Sequence, residues 1–166
     1  YCAVPCWCTG DGNHAWTEVF AGKEEGWHYI GSCEPDACLD QAWFTSSARR
    51  TGAVLSAGYG EAPVPDEYSE TLYRQADGVT TLNSIGVYSD PGTLVLDFPR
   101  GHRWRSEEEE PPDAHVHTFN WGGAQPLVSQ PLGGEIRLGP GDYLVTAELG
   151  GEPWSAQVTI RPGETT

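Results

Sequence analysis

The sequence predicts an α+β fold made mainly of antiparallel β-hairpins, with a short helix near the start and a small antiparallel β-sandwich at the end. Three observations lead to this prediction. A hairpin pattern covers residues 14–30, a helical pattern follows at 38–50, and short alternating strands recur in the last half. The predicted division is a first unit at 1–50, a connector at 51–80 and a β-sandwich at 81–166.

The hairpin pattern has one strand on each side of a polar link. Side chains alternate at period two from His14 to Phe20, and a second run follows from Trp27 to Ile30. Since side chains two positions apart share a strand face, His14 and Glu18 are predicted on the same face.

Just beyond the second strand lie a cysteine and two acids, Cys33, Glu34 and Asp36. A thiol hydrolase needs an imidazole to take the proton of a cysteine, and a carboxylate or amide to hold that imidazole in one tautomer. The window from His14 to Asp36 therefore contains the residue types of thiol acyl chemistry.

A family resemblance depends on four runs in this part of the chain. His-Ala-Trp-Thr-Glu-Val-Phe at 14–20, Gly-Trp-His at 26–28, Cys-Glu-Pro-Asp at 33–36 and Ala-Trp-Phe at 42–44 resemble the second half of a transglutaminase-like core domain. The first run is similar to the His-x-Trp-Thr-Glu-Val run of the peptide N-glycanase branch. The resemblance covers roughly residues 1–50, under a third of the chain.

The resemblance implies a papain-like core with a Cys-His-Asp arrangement. It implies that His14 is the general base. The aspartate of the family falls at the position of Gly31, so Glu34 or Asp36 is expected to orient the imidazole instead. The sequence leaves the choice between these two acids open.

The nucleophile of the family lies at the start of a helix several tens of residues before the histidine. Only 13 residues precede His14, so the nucleophile helix is expected outside this sequence, and Cys8 is the weaker candidate within it. The chain contains no methionine and begins with Tyr1, which we interpret as a piece of a longer protein. Trp16 and Trp43 are candidates for lining a substrate cleft.

The helical pattern at 38–50 is predicted to close the first unit. Two arginines near its end suit the negative end of a helix dipole. The side chains predicted to face inward are Leu39, Ala42, Trp43 and Phe44. Trp43 thus has two interpretations, as a core residue or as part of a cleft.

Glycine and proline interrupt every regular pattern in 51–80, which is why this stretch is predicted to be a connector with at most one or two helical turns. Alternating apolar side chains return beyond it. The predicted strands are 93–98, 116–121, 135–138, 143–149 and 154–160. Their layout resembles immunoglobulin-like, transthyretin-like and carboxypeptidase-regulatory-like β-sandwich modules.

The five cysteines all lie in the first 38 residues, where one or two disulfides or a zinc site are the alternatives. Their spacing fits no common zinc pattern, so neither a metal nor another cofactor is expected. In the tail, the acidic run 107–110 is predicted to be a solvated loop, and His115 and His117 to be exposed strand residues.

The charge balance excludes nucleic acid as the expected partner. The chain has 24 acids against nine bases, for a formal charge of −15, and phosphate backbones require clustered Lys and Arg. No apolar run approaches the roughly eighteen residues of a membrane-spanning helix, so no membrane span is predicted. Clustered cysteines and an accessory sandwich favour a location outside the cytoplasm.

Two functions from different classes are compatible with these observations. The first is part of a thiol hydrolase or acyltransferase that acts on peptide or glutamine amides, with a peptide or protein as substrate. The second is a non-catalytic binding or structural protein that uses the β-sandwich.

Overall fold

The computed structural model divides the chain into two compact units, residues 1–89 and 90–166. The residues it describes are 2–6, 14–22, 24–34, 36–59, 72–76, 78–98, 111–118 and 126–166, with the backbone course alone for 2–6, 59 and 72–76. In the described residues no helix is long and apolar enough to span a membrane.

The first unit is organised around a six-stranded antiparallel sheet with the strand order β3-β2-β1-β4-β6-β5. Its strands are β1 (Cys2–Cys6), β2 (Trp16–Phe20), β3 (Trp27–Ile30), β4 (Ala53–Tyr59), β5 (Leu72–Ala76) and β6 (Val79–Asn83). A four-residue helix, α1 (Thr45–Ala48), and a 3₁₀ turn (Ile85–Val87) complete the unit.

The predicted hairpin is confirmed as β2 and β3. Glu18 pairs with Tyr29, and Val19 pairs with His28 on the opposite face. The link is closed by two hydrogen bonds between Gly22, Gly26 and Ala21, and both glycines have positive φ, a conformation that glycine adopts without strain.

The predicted α+β class was wrong in its helical part, because the described chain consists mostly of antiparallel β-strands with almost no helix. The helix expected at 38–50 is reduced to Thr45–Ala48. Asp40 explains why it begins late. Its amide donates to the Tyr29 carbonyl oxygen, and its Oδ1 accepts from the Tyr29 amide, at 3.1 and 3.0 Å. The chain before α1 is therefore held along the free edge of β3 and cannot coil.

The division at 51–80 also differs from the prediction. The whole of β4 and β5 and the start of β6 come from the predicted connector and belong to the first sheet. The strand pattern of β4 was not recognised in the sequence, because β4 contains a glycine, Gly58, which pairs with Thr80 of β6. The buried side chains of Val54 and Ser56 show that β4 is an interior strand.

One face of this sheet carries the core of the first unit, which is rich in aromatic rings. The buried core residues are Trp16, Tyr29, Phe44, Ala48, Val54, Ile85 and Tyr88. α1 contributes Ala48 to this core, the residue before it contributes Phe44, and the 3₁₀ turn contributes Ile85. The helix and the turn therefore pack on the face of the sheet that carries Trp16 of β2 and Tyr29 of β3.

The second unit consists of two antiparallel sheets, one of strand order β10-β7 and one of strand order β12-β11-β8-β9. Its strands are β7 (Gly92–Val95), β8 (Asp113–Thr118), β9 (Val128–Pro131), β10 (Glu135–Leu138), β11 (Gly141–Leu149) and β12 (Glu152–Ile160). The expected β-rich tail is confirmed, whereas β9 was not predicted because it is short and mostly polar.

The hairpin of β11 and β12 has the predicted two-residue turn. Leu149 pairs with Glu152, and Gly150 and Gly151 between them both have positive φ. The end of the chain returns to β7, where Thr165 forms a parallel bridge with Thr93. The acidic run 107–110 and Trp121 lie outside the described residues.

Candidate functional site

His14 is surrounded by the rings of three aromatic residues, Trp16, Trp43 and Phe44, which we call the aromatic cup. The imidazole centroid lies 4.8 Å from Trp43, 5.0 Å from Phe44 and 6.0 Å from Trp16. The imidazole is half-buried. Packing against three rings restricts its rotation, so the ring is held at the surface of the first unit in a defined orientation.

The two tryptophans of the cup have different environments. Trp16 is 1% exposed and stacks on Phe44 with 4.4 Å between centroids, so it lies beneath His14 instead of lining an open cleft. Trp43 is 62% exposed and contacts His14 from the solvent side. Of the two residues expected to line a cleft, only Trp43 is available to a substrate.

The two candidate acids are also placed differently. Glu34 Oε2 accepts a hydrogen bond from Trp43 Nε1, and the Trp43 ring contacts His14. Asp36 is exposed, and its Oδ1 accepts from the Ala37 amide in its own turn, at 2.7 Å. Within the described part of the chain, neither carboxylate has a hydrogen bond to His14, but Glu34 shares a neighbour with it.

Gly31, which is where the transglutaminase-like resemblance would require an aspartate, has no room for a side chain. A Cβ built there would lie 2.8 Å from the Glu34 carbonyl oxygen and 3.5 Å from the Phe44 ring. The Glu34 amide donates to the Gly31 carbonyl oxygen at 3.1 Å, which closes the turn over this position.

A second histidine forms the clearest imidazole–carboxylate pair in the first unit. His28 Nδ1 and Asp40 Oδ2 are 2.7 Å apart, with the side chains 23% and 44% exposed. Since Val19 and His28 pair on the face opposite Glu18 and Tyr29, this pair lies on the other side of the hairpin from the aromatic cup. Asp40 was not predicted, because no local pattern connects it to a histidine twelve residues earlier.

Beneath the aromatic cup the chain buries a carboxyl group. Glu18 is 1% exposed, and its oxygens accept hydrogen bonds from the hydroxyls of Ser56, Ser84 and Tyr88. The two serine hydroxyls are 3.0 Å apart. Burial raises the pKa of the Glu18 carboxyl above its ordinary value, and the three donated hydrogen bonds offset part of that rise.

Tyr88 connects this carboxyl to the aromatic cup. Its hydroxyl accepts a hydrogen bond from Trp16 Nε1 at 2.6 Å and donates to Glu18 Oε1. Burial, together with the neighbouring Glu18, raises the pKa of the Tyr88 hydroxyl. The sequence indicated the face of Glu18 but not its partners, which are 38 to 70 residues away in the chain.

The cysteines and the tail histidines do not form a metal site where they are described. Cys33 and Cys38 are exposed free thiols, so no disulfide joins them. Cys8 lies outside the described residues. His115 Nδ1 lies 2.8 Å from Ser129 Oγ, and His117 Nε2 lies 3.2 Å from Thr146 Oγ1. In the described ranges, no three His, Cys, Asp or Glu residues are grouped closely enough to hold a metal ion.

Comparisons of the chain with protein-family models, with curated proteins and with solved structures found no match.

Proposed function

We propose that this sequence supplies the general base of a transglutaminase-like thiol enzyme that hydrolyses or transfers acyl groups from peptide or glutamine amides. The observation that supports the proposal best is the placement of His14. Its imidazole is held by the aromatic cup at the surface, beside an exposed tryptophan and an acidic loop. A surface imidazole with restricted rotation is suited to proton transfer.

In the proposed reaction, His14 takes the proton of a cysteine thiol, and the thiolate attacks the amide carbonyl carbon. His14 then gives that proton to the departing amine, which leaves an acyl thioester on the cysteine. Water or a second amine attacks the thioester and restores the thiol. The proposed nucleophile belongs to a helix outside this sequence, and Cys8 is the alternative within it.

Glu34 is the better-supported candidate for the orienting acid. It is hydrogen-bonded to Trp43, which contacts His14, whereas the Asp36 carboxylate binds its own turn. A rotation of the Trp43 side chain would free the Glu34 carboxylate next to the imidazole. Trp43 is 62% exposed, so little packing opposes such a rotation.

The second unit is proposed to be an accessory β-sandwich of the immunoglobulin-like or carboxypeptidase-regulatory-like kind. Its antiparallel sheets and its Gly150-Gly151 hairpin support this reading. Modules of this type commonly accompany enzymes outside the cytoplasm, which is where we place this protein.

His14→Ala tests the proposal. In the natural protein it should abolish hydroxamate formation from a blocked glutaminyl-glycine dipeptide and hydroxylamine, with the circular dichroism spectrum unchanged. The matched control is His28→Ala, which removes an imidazole from the opposite face of the same hairpin. It should retain the activity. Full turnover by His14→Ala would remove His14 from the mechanism.

A pair of isosteric variants tests the acid. Glu34→Gln should lower kcat by about 10⁴-fold, the scale measured when a triad carboxylate becomes an amide, while Asp36→Asn should change it little. The reverse ranking would assign the role to Asp36. Equal and small effects of both variants would leave His14 without an orienting acid in this loop.

The alternative is a non-catalytic binding or structural protein. Two observations favour it: in the described residues no carboxylate is hydrogen-bonded to His14, and the position of the family's aspartate has no space for a side chain. Alkylation with iodoacetamide near neutral pH, read by intact mass, separates the two functions. A fast-reacting cysteine that slows in His14→Ala supports the enzyme, and uniformly slow thiols support the alternative.

A further inference from the structure

The proposed reaction does not use the buried carboxyl of Glu18, and its environment is unlike the rest of the core. Glu18 is among the largest fully buried side chains of the described chain. Its hydroxyl donors come from two other segments: Ser56 lies in β4, and Ser84 and Tyr88 flank the 3₁₀ turn. A buried polar group is costly unless it is fully hydrogen-bonded, so β2, β4 and this turn must converge on one point.

The direction of the hydrogen bonds is set by the chemistry of the donors. An indole nitrogen can only donate, so Trp16 Nε1 must donate to the Tyr88 oxygen. The single proton of the Tyr88 hydroxyl is then free to donate to Glu18 Oε1. Glu18 therefore holds the Tyr88 hydroxyl in the rotamer that accepts from the Trp16 indole.

From Trp16 the contacts continue to the aromatic cup. Trp16 stacks on Phe44 at an interplanar angle of 19°, and both rings contact His14. A stacked pair whose indole is fixed by a hydrogen bond cannot slide or rotate without losing that bond. The orientation of the His14 imidazole is thereby coupled to Glu18 through Tyr88 and Trp16.

The hydroxyl cluster can satisfy both protonation states of the carboxyl with the same heavy-atom positions. An ionised Glu18 accepts from Ser56, Ser84 and Tyr88. A neutral Glu18 donates from Oε2 to Ser56, Ser56 donates to Ser84, and Ser84 donates to the Val54 carbonyl oxygen, 3.3 Å away. Tyr88 donates to Oε1 in either state, so the link to Trp16 is kept.

We propose that Glu18 is a positioning residue, which fixes the ring of His14 for proton transfer through the hydrogen-bonded chain of Tyr88 and Trp16. The inference rests on the proposed function, because it takes His14 as the general base. It adds a residue that never touches the substrate. Its effect should appear in kcat rather than in KM, since ring orientation affects the proton transfer and not substrate binding.

The experiment uses the isotope-labelled chain and two nuclear magnetic resonance signals, the Trp16 indole N–H and the imidazole ring of His14. Tyr88→Phe removes one oxygen and should shift both signals, since Trp16 loses its acceptor. The matched control is Tyr143→Phe, which removes an equally buried hydroxyl that donates to the Gly139 carbonyl oxygen in the second unit. It should leave both signals in place.

Two substitutions at Glu18 complete the test. Glu18→Gln can still accept from Tyr88 and donate to Ser56, so it should preserve both ring signals. Glu18→Leu can do neither and should shift both. When Tyr88→Phe is introduced into the natural protein, kcat for the dipeptide should fall about 100-fold, as expected for a misplaced catalytic group. KM should be nearly unchanged.

The inference is overturned if Tyr88→Phe moves the Trp16 signal but leaves the His14 ring as it was, or if Glu18→Gln is as disruptive as Glu18→Leu. Should Glu18→Leu fail to fold, Tyr88→Phe still decides between these outcomes. Failure of the proposed function has a different signature, because His14→Ala would then retain turnover whatever the ring signals of the Tyr88 variant show.

Discussion

The two units of the chain bury different kinds of side chain. The core of the first unit contains a carboxyl, two serine hydroxyls and a tyrosine hydroxyl that is hydrogen-bonded to an indole. The residues that these hydrogen bonds join are 28 to 72 positions apart in the sequence. The described core of the second unit is mainly aliphatic. Its buried tyrosine, Tyr143, donates to a carbonyl oxygen only four residues away.

The two cores differ in what their assembly requires. Long-range polar contacts in a core are costly to assemble and are satisfied only when several elements meet correctly. The described core of the second unit is mainly aliphatic, and such a core tolerates alternative side chains of similar volume. The hydrogen-bonded network around Glu18 is therefore expected to tolerate fewer substitutions.

The aromatic core of the first unit should be the part least tolerant of substitution. Phe44 is fully buried and stacks on Trp16, so Phe44→Ala should lower the free energy of unfolding by about 4 kcal/mol. Chemical denaturation combined with amide hydrogen exchange measures the loss and locates it. The neighbouring Trp43 is 62% exposed, and Trp43→Ala should cost far less. Equal losses would mean that Phe44 is not part of a close-packed core.

In the second unit the most sensitive position should be one where two backbones approach closely. A Cβ at Gly92 would lie 2.8 Å from Ile160 Cγ2 and against the Arg161 carbonyl oxygen. Gly92→Ala should therefore lower the free energy of unfolding by about 2 kcal/mol, a typical cost of overpacking. Gly141→Ala is the control, since its Cβ would meet only the Tyr143 ring, at 3.7 Å or more. A neutral Gly92→Ala would show that the end of the chain is easily displaced from β7.

The pH dependence of stability should distinguish the two cores. Because the pKa of Glu18 is raised in the folded state, the folded chain binds its proton more tightly than the unfolded chain does. Its contribution to stability is therefore greatest below the ordinary glutamate pKa of 4.5 and declines as pH rises through the raised value. Among the described side chains, Tyr29, its partner on β3, and Tyr88 are titratable and face Glu18.

Urea denaturation of the natural chain and of Glu18→Gln at a series of pH values measures this contribution. As pH rises, the unfolding free energy of the natural chain should fall relative to that of the variant, by at most about 1.4 kcal/mol per pH unit for a single proton. Parallel curves for the two proteins would show that the pKa of Glu18 is the same in the folded and the unfolded chain.

Local patterns were sufficient for the hairpins. Period-two alternation located β2, β3, β11 and β12, and the glycine pairs marked their turns, because neighbouring strands joined by short links are encoded by nearby residues. The same reasoning failed for β4 and β5. Gly58 and the prolines that follow β4 resemble a linker, and only pairing with β1 and β6 shows that this segment is a strand.

The candidate site was predicted in a similarly uneven way. The sequence predicted His14 and Glu18 on one face of the first strand of the hairpin and the loop acids beyond the second, although the observed β2 begins only at Trp16. The exposure of Trp43 was not predictable, since a tryptophan next to a phenylalanine has no local signal that tells the surface from the core. Asp40 was missed because its partners lie on a strand edge twelve residues earlier.

The sequence by itself determined the strand faces, the tight turns, the acidic surface and the presence of a histidine with nearby acids, since each depends on the order of neighbouring residues. Only the tertiary structure decided which groups meet. It placed Ser56, Ser84 and Tyr88 around Glu18, and it enclosed His14 in aromatic rings from two separate segments. The physical reason is that burial and hydrogen bonding between distant elements depend on packing, which no local period records.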